Sequence, residues 1–267
     1  MALPAPTPST TALITGASSG IGSEIARRLA ERGHGVTLVA RRRERLAELA
    51  EELARDHAVR AEVEACDLAS ADARSRMLRS VEDRGLAVEV LVNNAGFGSG
   101  GRFQDLDPDM ELDMVRTNVE AVVHLCSTFV PGMVRRGRGA VLNVASVAAF
   151  QPVPRQATYG ATKAFVLSFT DALTADLHGS GVTATSLCPG PVPTEFGEVA
   201  AIDENLMSIP GVSVSPADVA RAAVDGLDRG KRVVVPGPAT RATALLGSLT
   251  PRWITLEAMR RFYPVGK

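Results

Sequence analysis

Short apolar runs alternate along the chain with longer segments in which apolar residues recur every three or four positions. The short runs are near-continuous in valine, leucine, isoleucine and alanine, which is typical of parallel strands covered on both faces. They fall at Thr11–Thr15, Gly35–Ala40, Ala61–Ala65, Val88–Val92, Ala140–Val144, Val182–Leu187 and Arg232–Val235. The helical segments between them are Gly20–Arg32, Arg43–His57, Ser70–Arg84, Pro108–Arg136, Ala157–His178 and Pro216–Arg229. This alternation predicts an α/β fold with a doubly wound parallel sheet of about seven strands and helices on both faces.

The same pattern contains no Gly/Ser-rich linker and no long charge block, so residues 1–235 are predicted to form one domain. A tail of residues 236–267 follows, and Pro251 divides its helical pattern into two short helices. The apolar residues of the tail are Leu245, Leu246, Leu249, Trp253, Ile254, Leu256, Met259 and Phe262. They would make a conspicuous patch in water. We therefore expect the tail to close over a substrate site or seal a subunit interface, rather than to rest on a membrane surface.

Composition narrows the class of function. The chain of 267 residues is 45% hydrophobic and carries a net charge of -1, so no global field attracts nucleic acid or an anionic membrane. Cys66, Cys126 and Cys188 are widely spaced, which indicates buried thiols rather than disulfides or a metal site. No signal peptide and no run of 18 apolar residues is visible. These features predict a cytoplasmic protein that carries no metal.

A glycine-rich turn follows the first predicted strand directly and opens the first predicted helix. Residues 15–22 read Thr-Gly-Ala-Ser-Ser-Gly-Ile-Gly, with the glycines in G-x3-G-x-G spacing. Such a turn lets backbone N–H groups approach a pyrophosphate at the positive end of the helix dipole. The residues predicted to contact a dinucleotide here are Gly16, Ser18, Ser19, Gly20, Ile21 and Gly22.

The second predicted strand is followed by Arg41 and Arg42 rather than by an acidic residue. A carboxylate there would accept from the ribose 2′-OH of NAD, whereas a guanidinium binds the 2′-phosphate of NADP. Cations at the start of a helix oppose its dipole, which favours a ligand over a merely solvated helix start. NADP is therefore the predicted cofactor. Asp67 and Leu68, after the third strand, either meet the adenine or belong to a helix cap.

Tyr159 and Lys163 stand four residues apart near the start of a predicted helix, so they share one face. A phenol titrates near ~10, and we expect the Lys163 ammonium to lower the pKa of Tyr159. Tyr159 can then exchange a proton with a carbonyl or alcohol oxygen, while Lys163 donates to a nicotinamide ribose. Ser146, just past the fifth strand, can polarise the same substrate oxygen. Asn118 either is a satisfied core amide or holds a water in a relay from Lys163.

Taken together, these motifs resemble the short-chain dehydrogenase/reductase family over about residues 10–235, in the family's order and spacing. The resemblance implies a single Rossmann-type domain and a catalytic tetrad of Asn118, Ser146, Tyr159 and Lys163. It also implies that Asn93 and its neighbours stabilise the central sheet and line the adenosine pocket. The further cofactor contacts that it implies are Asn94, Ala95, Gly96, Pro189, Gly190, Val192 and Thr194, the last near the nicotinamide carboxamide.

Two further expectations come with the resemblance. Relatives usually pair through their two long helices, here the segments 108–136 and 157–178, so a homodimer or homotetramer is expected. The chain departs from the family in carrying Ser19, not arginine or lysine, before Gly20. The predicted NADP preference therefore depends mainly on Arg41 and Arg42.

The sequence thus predicts an NADP(H)-dependent oxidoreductase that transfers a hydride between nicotinamide and a ketone or secondary alcohol. A substrate cover is expected over residues 193–211. Its apolar residues Phe196, Ile202, Leu206, Met207 and Ile209 either indicate an apolar ligand or simply pack the loop down. The alternative is a regulator that senses NADPH without turnover. The retention of both Tyr159 and Lys163 argues against that alternative.

Overall fold

The computed structural model describes residues 3–200 and 212–262. Seven strands within these ranges form one parallel sheet in the order β3-β2-β1-β4-β5-β6-β7. The strands are β1 Thr10–Thr15, β2 Val36–Ala40, β3 Ala61–Ala65, β4 Ala87–Asn93, β5 Gly139–Val144, β6 Val182–Leu187 and β7 Val233–Val234. Each predicted strand agrees with these bounds to within a residue at either end. The predicted doubly wound α/β fold is confirmed.

Helices cover both faces of this sheet. They are α1 Gly20–Glu31, α2 Arg43–His57, α3 Ala71–Asp83, α4 Pro108–Val115, α5 Ala121–Arg136, α6 Ala157–Asp176, α7 Phe196–Val199, α8 Pro216–Asp228, α9 Pro238–Leu249 and α10 Arg252–Phe262. The predicted helix from Pro108 to Arg136 is continuous in the structure, with helical backbone throughout, but a π-helical turn, Arg116–Glu120, lies within it between α4 and α5. Asn118 lies buried in this turn, and its side chain bonds to other segments of the chain. Such a turn interrupts the regular period and is frequent at functional sites.

Two hydrophobic clusters, one on each face of the sheet, make up the core. The first joins the strands to α1, α2 and α8 and includes Ile25 and Val219, both fully buried. The second joins the strands to α3, α5 and α6 and includes Leu125 and Val166. Because both faces are covered, the strands present nearly continuous apolar runs, which is the reason that the sequence pattern located them.

The strand order reverses at β1, which pairs with β2 on one side and with β4 on the other. Loops leave such a switch point in opposite directions and open a crevice at the carboxyl ends of the strands. Thr15, the last residue of β1, joins the two sides of this crevice. Its hydroxyl accepts from the N–H groups of Asn94 and Ala95, at 2.9 and 3.0 Å, and donates to the Val92 carbonyl at 3.2 Å. These bonds hold the β1–α1 turn against the chain that leaves β4.

The tail forms two helices, α9 and α10, separated at Pro251 as the pattern predicts. Helix α9 packs on the turn Val147–Phe150, beside the crevice. Several large apolar side chains of the tail face solvent: Leu246 is 66% exposed, and Leu249 and Trp253 are each 74% exposed. Across the described part of the chain, no helix is both long and apolar enough to cross a membrane.

Candidate active site

A cavity of about 740 Å³ lies at the carboxyl ends of the strands, where the crevice opens. Nearly all the residues predicted to bind the cofactor or act in catalysis line it. They are Gly16, Ser18, Ser19, Gly20, Ile21, Arg41, Arg42, Asp67, Leu68, Asn94, Ala95, Gly96, Ser146, Tyr159, Lys163, Pro189, Gly190, Val192 and Thr194. Two predicted residues do not reach the cavity wall. Gly22 and Asn118 lie behind it.

The glycine turn has the backbone conformation that its sequence requires. Gly16 and Gly20 have φ angles of +68° and +59°, which side chains with a Cβ rarely adopt. Gly22 acts by close approach instead, because a Cβ there would lie 2.3 Å from the carbonyl oxygen of Gly16. No side chain caps the N-terminus of α1. The first N–H groups of this helix therefore face the cavity with the positive end of the dipole.

The end of the cavity next to β2 and β3 holds the predicted arginines. Arg41 is exposed and lines the cavity, and it makes no hydrogen bond or ion pair with the described residues. Arg42 instead donates to the hydroxyls of Ser18 and Ser19 and pairs with Glu195, a residue that sequence reasoning missed. Because the partners of Arg42 are at least 23 positions away in sequence, no local pattern revealed them.

Asp67 lies at the same end of the cavity, and a different residue, Ser70, is the N-cap of α3. Ser70 caps α3 by accepting from the N–H of Ala73 at 3.2 Å. Asp67 accepts from the N–H of Ala69 at 3.0 Å and lines the cavity beside Leu68. The other carboxylate oxygen makes no hydrogen bond with the described residues, and the adenine contact stays a prediction.

Ser146, Tyr159 and Lys163 converge at the opposite end of the cavity. Lys163 is 5% exposed, and its Nζ donates to the carbonyl of Val144 at the end of β5, at 2.8 Å. The same Nζ lies 5.8 Å from the centroid of the Tyr159 ring. The Ser146 side chain is close enough to Tyr159 to lower the pKa of the phenol. The sequence prediction that these three side chains share one site is matched by this geometry, while their catalytic roles stay predictions.

The titration behaviour of this group differs from the expectation. Burial raises the pKa of Tyr159 to about 12, although the hydrogen bond with Ser146 lowers it. Burial also lowers the pKa of Lys163 to about 8. The expectation that Lys163 lowers the pKa of Tyr159 is not borne out by this arrangement, because burial is the largest influence and Lys163 is not among the groups that lower that pKa. The phenol is protonated at neutral pH, which is the form that donates a proton to a carbonyl oxygen.

Asn118 is fully satisfied by the protein. Its Oδ1 accepts from the Phe97 N–H at 3.2 Å, and its Nδ2 donates to the Phe97 carbonyl and to Thr162 at 3.0 and 3.1 Å. The π turn thus ties the loop after β4 to helix α6, which carries Tyr159 and Lys163. The water relay from Lys163 stays a prediction, whereas the structural role of the amide is directly visible.

Aromatic and apolar side chains surround Tyr159 at the substrate end. The ring of Phe196 lies 5.3 Å from that of Tyr159, between ring centroids. Phe97 and Val153 also line the cavity, and the sequence pattern did not assign them to the site. Met259, one of the apolar tail residues expected to close over a substrate site or seal an interface, lines the cavity too. Met259 comes from α10, so the tail reaches the cavity. The predicted cover residues Ile202, Leu206, Met207 and Ile209 lie outside the described residues.

Comparison with known proteins agrees with this architecture. Residues 10–205 match the family model described as short chain dehydrogenase. The chain therefore belongs to the short-chain dehydrogenase family, as its motifs indicate.

Among individual relatives, an NADP-dependent 3-hydroxy acid dehydrogenase of Salmonella typhi is 39% identical over 195 residues, 70% of this chain and 75% of the relative. A short-chain dehydrogenase from Sphingobium yanoikuyae, solved in complex with NADPH, has 33% identity and a TM-score of 0.79 and covers 97% of both chains. The bulky-bulky ketone specific alcohol dehydrogenase from Comamonas testosteroni has 28% identity and a TM-score of 0.74, and the match covers 98% of this chain and 96% of that one. The two structural matches therefore include the tail.

The buried ammonium gives a prediction for stability. Lys163→Met is expected to raise the free energy of unfolding at pH 7 by about 1–3 kcal/mol, because it removes a charge whose folded pKa lies below its unfolded value. The wild-type protein binds fewer protons at Lys163 when folded than when unfolded between about pH 8 and 10.5, so its stability rises with pH there. The difference in the free energy of unfolding between Lys163→Met and the wild type should therefore shrink between about pH 8 and 10.5.

Urea unfolding at pH 7, 8, 9 and 10 measures this difference. The control is Lys231→Met, which removes an exposed ammonium and should show no such pH dependence. A loss of stability in Lys163→Met at pH 7 would show that the hydrogen bond to Val144 outweighs desolvation.

Proposed function

We propose that the chain is an NADP(H)-dependent oxidoreductase that transfers a hydride between nicotinamide and a ketone or secondary alcohol. The observation that carries the proposal is one continuous cavity with a phosphate-binding turn at one end and Ser146, Tyr159 and Lys163 at the other. An NADP-dependent relative and a solved structure with NADPH support the choice of cofactor.

The residues present suit a dinucleotide with a 2′-phosphate. The uncapped start of α1 offers N–H donors for the pyrophosphate, and the glycines of the turn let the backbone come close. Arg41 offers a guanidinium that has no partner among residues 3–200 and 212–262 at the proposed adenosine end. Bound nicotinamide supplies the hydride donor or acceptor. Thr194, whose methyl would lie 3.0 Å from a Cβ at Gly20, faces the turn across the cavity.

The chain's own part in the reaction is proton transfer and orientation. Tyr159 holds the proton that a carbonyl oxygen needs as it becomes an alkoxide, and it takes that proton back in the oxidation direction. Ser146 donates to the same oxygen and keeps it beside Tyr159. Lys163, anchored on Val144, presents further ammonium protons to the cavity. Desolvation of all three groups strengthens these interactions.

The surroundings of Tyr159 support an apolar substrate. Phe97, Val153 and Phe196 pack against Tyr159 and Met259 lines the same cavity, although Gln151, Arg155 and Gln156 line it as well. The Comamonas alcohol dehydrogenase, named for bulky ketones, shares this fold along nearly the whole chain. A regulator that only senses NADPH would not need a tyrosine and a serine hydroxyl converging beside the nicotinamide site, so enzymatic turnover is the better proposal.

We further propose a homodimer or homotetramer in the cytoplasm. Exposed apolar side chains on α5, α6 and the tail support assembly, with Phe165 and Val134 40% and 41% exposed. Cys66, Cys126 and Cys188 are free and buried, and burial raises the pKa of each thiol, as suits a reducing compartment. Residues 1–235 serve as the cofactor and catalytic domain in this proposal, and residues 236–267 as a helical tail packed on it or on a second copy.

One prediction from the proposed function concerns the preference for NADPH over NADH. Arg41→Asp should lower the ratio of kcat/KM for NADPH to that for NADH by about 10- to 100-fold, because it replaces a charge-assisted bond by repulsion. Arg43→Asp is the matched control, since Arg43 is exposed next to Arg41 and does not line the cavity. Equal effects of the two changes, or a wild-type preference for NADH, would refute the role of Arg41.

The second prediction concerns catalysis. Tyr159→Phe keeps the ring and its contact with Phe196 but removes the proton, so kcat should fall about 10²–10⁴-fold. The Kd of NADPH should stay within about twofold, which fluorescence titration measures. A kcat close to that of the wild type would remove Tyr159 from the mechanism.

The third prediction concerns the tail. Combined Leu249→Glu and Trp253→Glu changes should lower the molar mass measured by light scattering, because two of the most exposed apolar side chains become charged. Arg252→Glu, an exposed charge change between them, is the control and should leave the mass unchanged. A different outcome would favour contact with a membrane surface instead. In that case the double variant would keep the molar mass of the wild type, and it would lose a binding to anionic liposomes that the wild type shows.

A further inference from the structure

Glu195 lies across the mouth of the cavity from the arginines that follow β2. Its carboxylate pairs with Arg42 at 2.8 Å and with Arg45 at 2.5 Å. Arg42 in turn donates to the hydroxyls of Ser18 and Ser19, at 3.1 and 2.9 Å. One network therefore joins three segments that are distant in sequence: the glycine turn, the start of α2 and the loop that follows β6.

The carboxylate of Glu195 is a permanent anion in this position. Hydrogen bonds from Arg42 and then from Arg45 lower the pKa of Glu195 to about 2, so it is ionised at neutral pH. Its side chain is nevertheless 40% exposed, and the two guanidinium groups are similarly accessible. Exposed ion pairs of this kind contribute about 0.2–1 kcal/mol, so a competing anion can replace them.

A phosphate monoester offers the same chemistry as this carboxylate. It carries a charge of about −1.5 to −2 and three acceptor oxygens, and it binds guanidinium groups bidentately. Arg41 is free to receive it, whereas the donors of Arg42 already point at Glu195. A phosphate placed beside Arg42 also meets the like charge of Glu195, which opposes its binding.

Glu195 is connected to the end of the cavity that holds Tyr159 through Phe196, the residue that follows it in sequence. Phe196 begins α7, and its ring contacts that of Tyr159 at 5.3 Å between centroids. The N–H of Phe196 donates to the hydroxyl of Thr194 at 3.3 Å. A displacement of Glu195 from Arg42 therefore acts on the short segment that lies against Tyr159.

We propose that Glu195 is an internal competitor for the 2′-phosphate of the dinucleotide, and that its displacement from Arg42 frees the segment 194–199. The inference rests on the proposed NADP(H) function. Glu195 thus sets how strongly the protein prefers a phosphorylated ribose. It also couples occupation of the phosphate site to the placement of Phe196 over the substrate end.

The first test is calorimetric binding of 2′,5′-ADP and of 5′-AMP, which differ only by the 2′-phosphate. Glu195→Gln should lower the Kd of 2′,5′-ADP about two- to fivefold, as expected for removal of one exposed ion pair, and leave that of 5′-AMP unchanged. Glu198→Gln is the matched control, because Glu198 is an exposed carboxylate on the same short helix. An unchanged or higher Kd for 2′,5′-ADP in Glu195→Gln overturns the competition.

The second test is hydrogen exchange of the backbone amides in residues 194–199. The ligand 2′,5′-ADP lacks the nicotinamide half, so it can contact Thr194 and Glu195 but not the residues of α7, and the amides of residues 196–199 report the coupling. Exchange should rise on its binding to the wild type and to Glu198→Gln, and it should be high from the start in Glu195→Gln. Slower exchange on binding would overturn the coupling. If the wild type binds 5′-AMP as tightly as 2′,5′-ADP, the proposed NADP preference itself fails. If the wild type binds 2′,5′-ADP more tightly than 5′-AMP, but Glu195→Gln binds 2′,5′-ADP no more tightly than the wild type does, only the proposed role of Glu195 fails.

Discussion

Lys163 is an ammonium held almost wholly out of water, and the arrangement of the site follows from how that group is satisfied. Its hydrogen bond to the Val144 carbonyl joins α6 to the carboxyl end of β5. The same contact sets Tyr159 beside Ser146, because Ser146 follows β5 directly and Tyr159 lies one helical turn before Lys163. A buried cation is unfavourable for stability, as its lowered pKa indicates. The proposed chemistry gives this cation a use beyond its hydrogen bond to Val144.

Two glycines after β4 make room for this group. A Cβ at Gly96 would lie 2.9 Å from Asn118 Oδ1 and 3.2 Å from Lys163 Nζ. A Cβ at Gly98 would lie 3.0 Å from the ring of Phe196 and 3.2 Å from that of Tyr159. The loop after β4 therefore packs against both the structural amide and the reacting side chains. The absence of a side chain at Gly96 and Gly98 is as much a part of the site as its polar residues are.

What the sequence could predict depended on how local the determining interactions are. The strands were located because burial on both faces leaves a continuous apolar run, and Tyr159 with Lys163 because helical spacing alone brings them together. The π turn at Asn118 was not predictable, since it depends on bonds to Phe97 and Thr162 from other segments. The pair of Glu195 with Arg45 joins residues 150 positions apart and leaves no local pattern. The raised pKa of Tyr159 likewise reflects three-dimensional burial, which residue spacing does not report.

Hydride transfer itself tests the central claim most directly. Purified protein would be incubated with NADPH that carries deuterium at both positions of nicotinamide C4, and with a panel of ketones that carry bulky apolar substituents. The account predicts that at least one ketone is reduced, with deuterium on the new carbinol carbon and oxidation of NADPH in equal amount. The contradicting result is tight binding of NADPH with no deuterium in any alcohol and no reduction of NADP⁺ by the corresponding alcohols. That result would favour a cofactor-sensing protein.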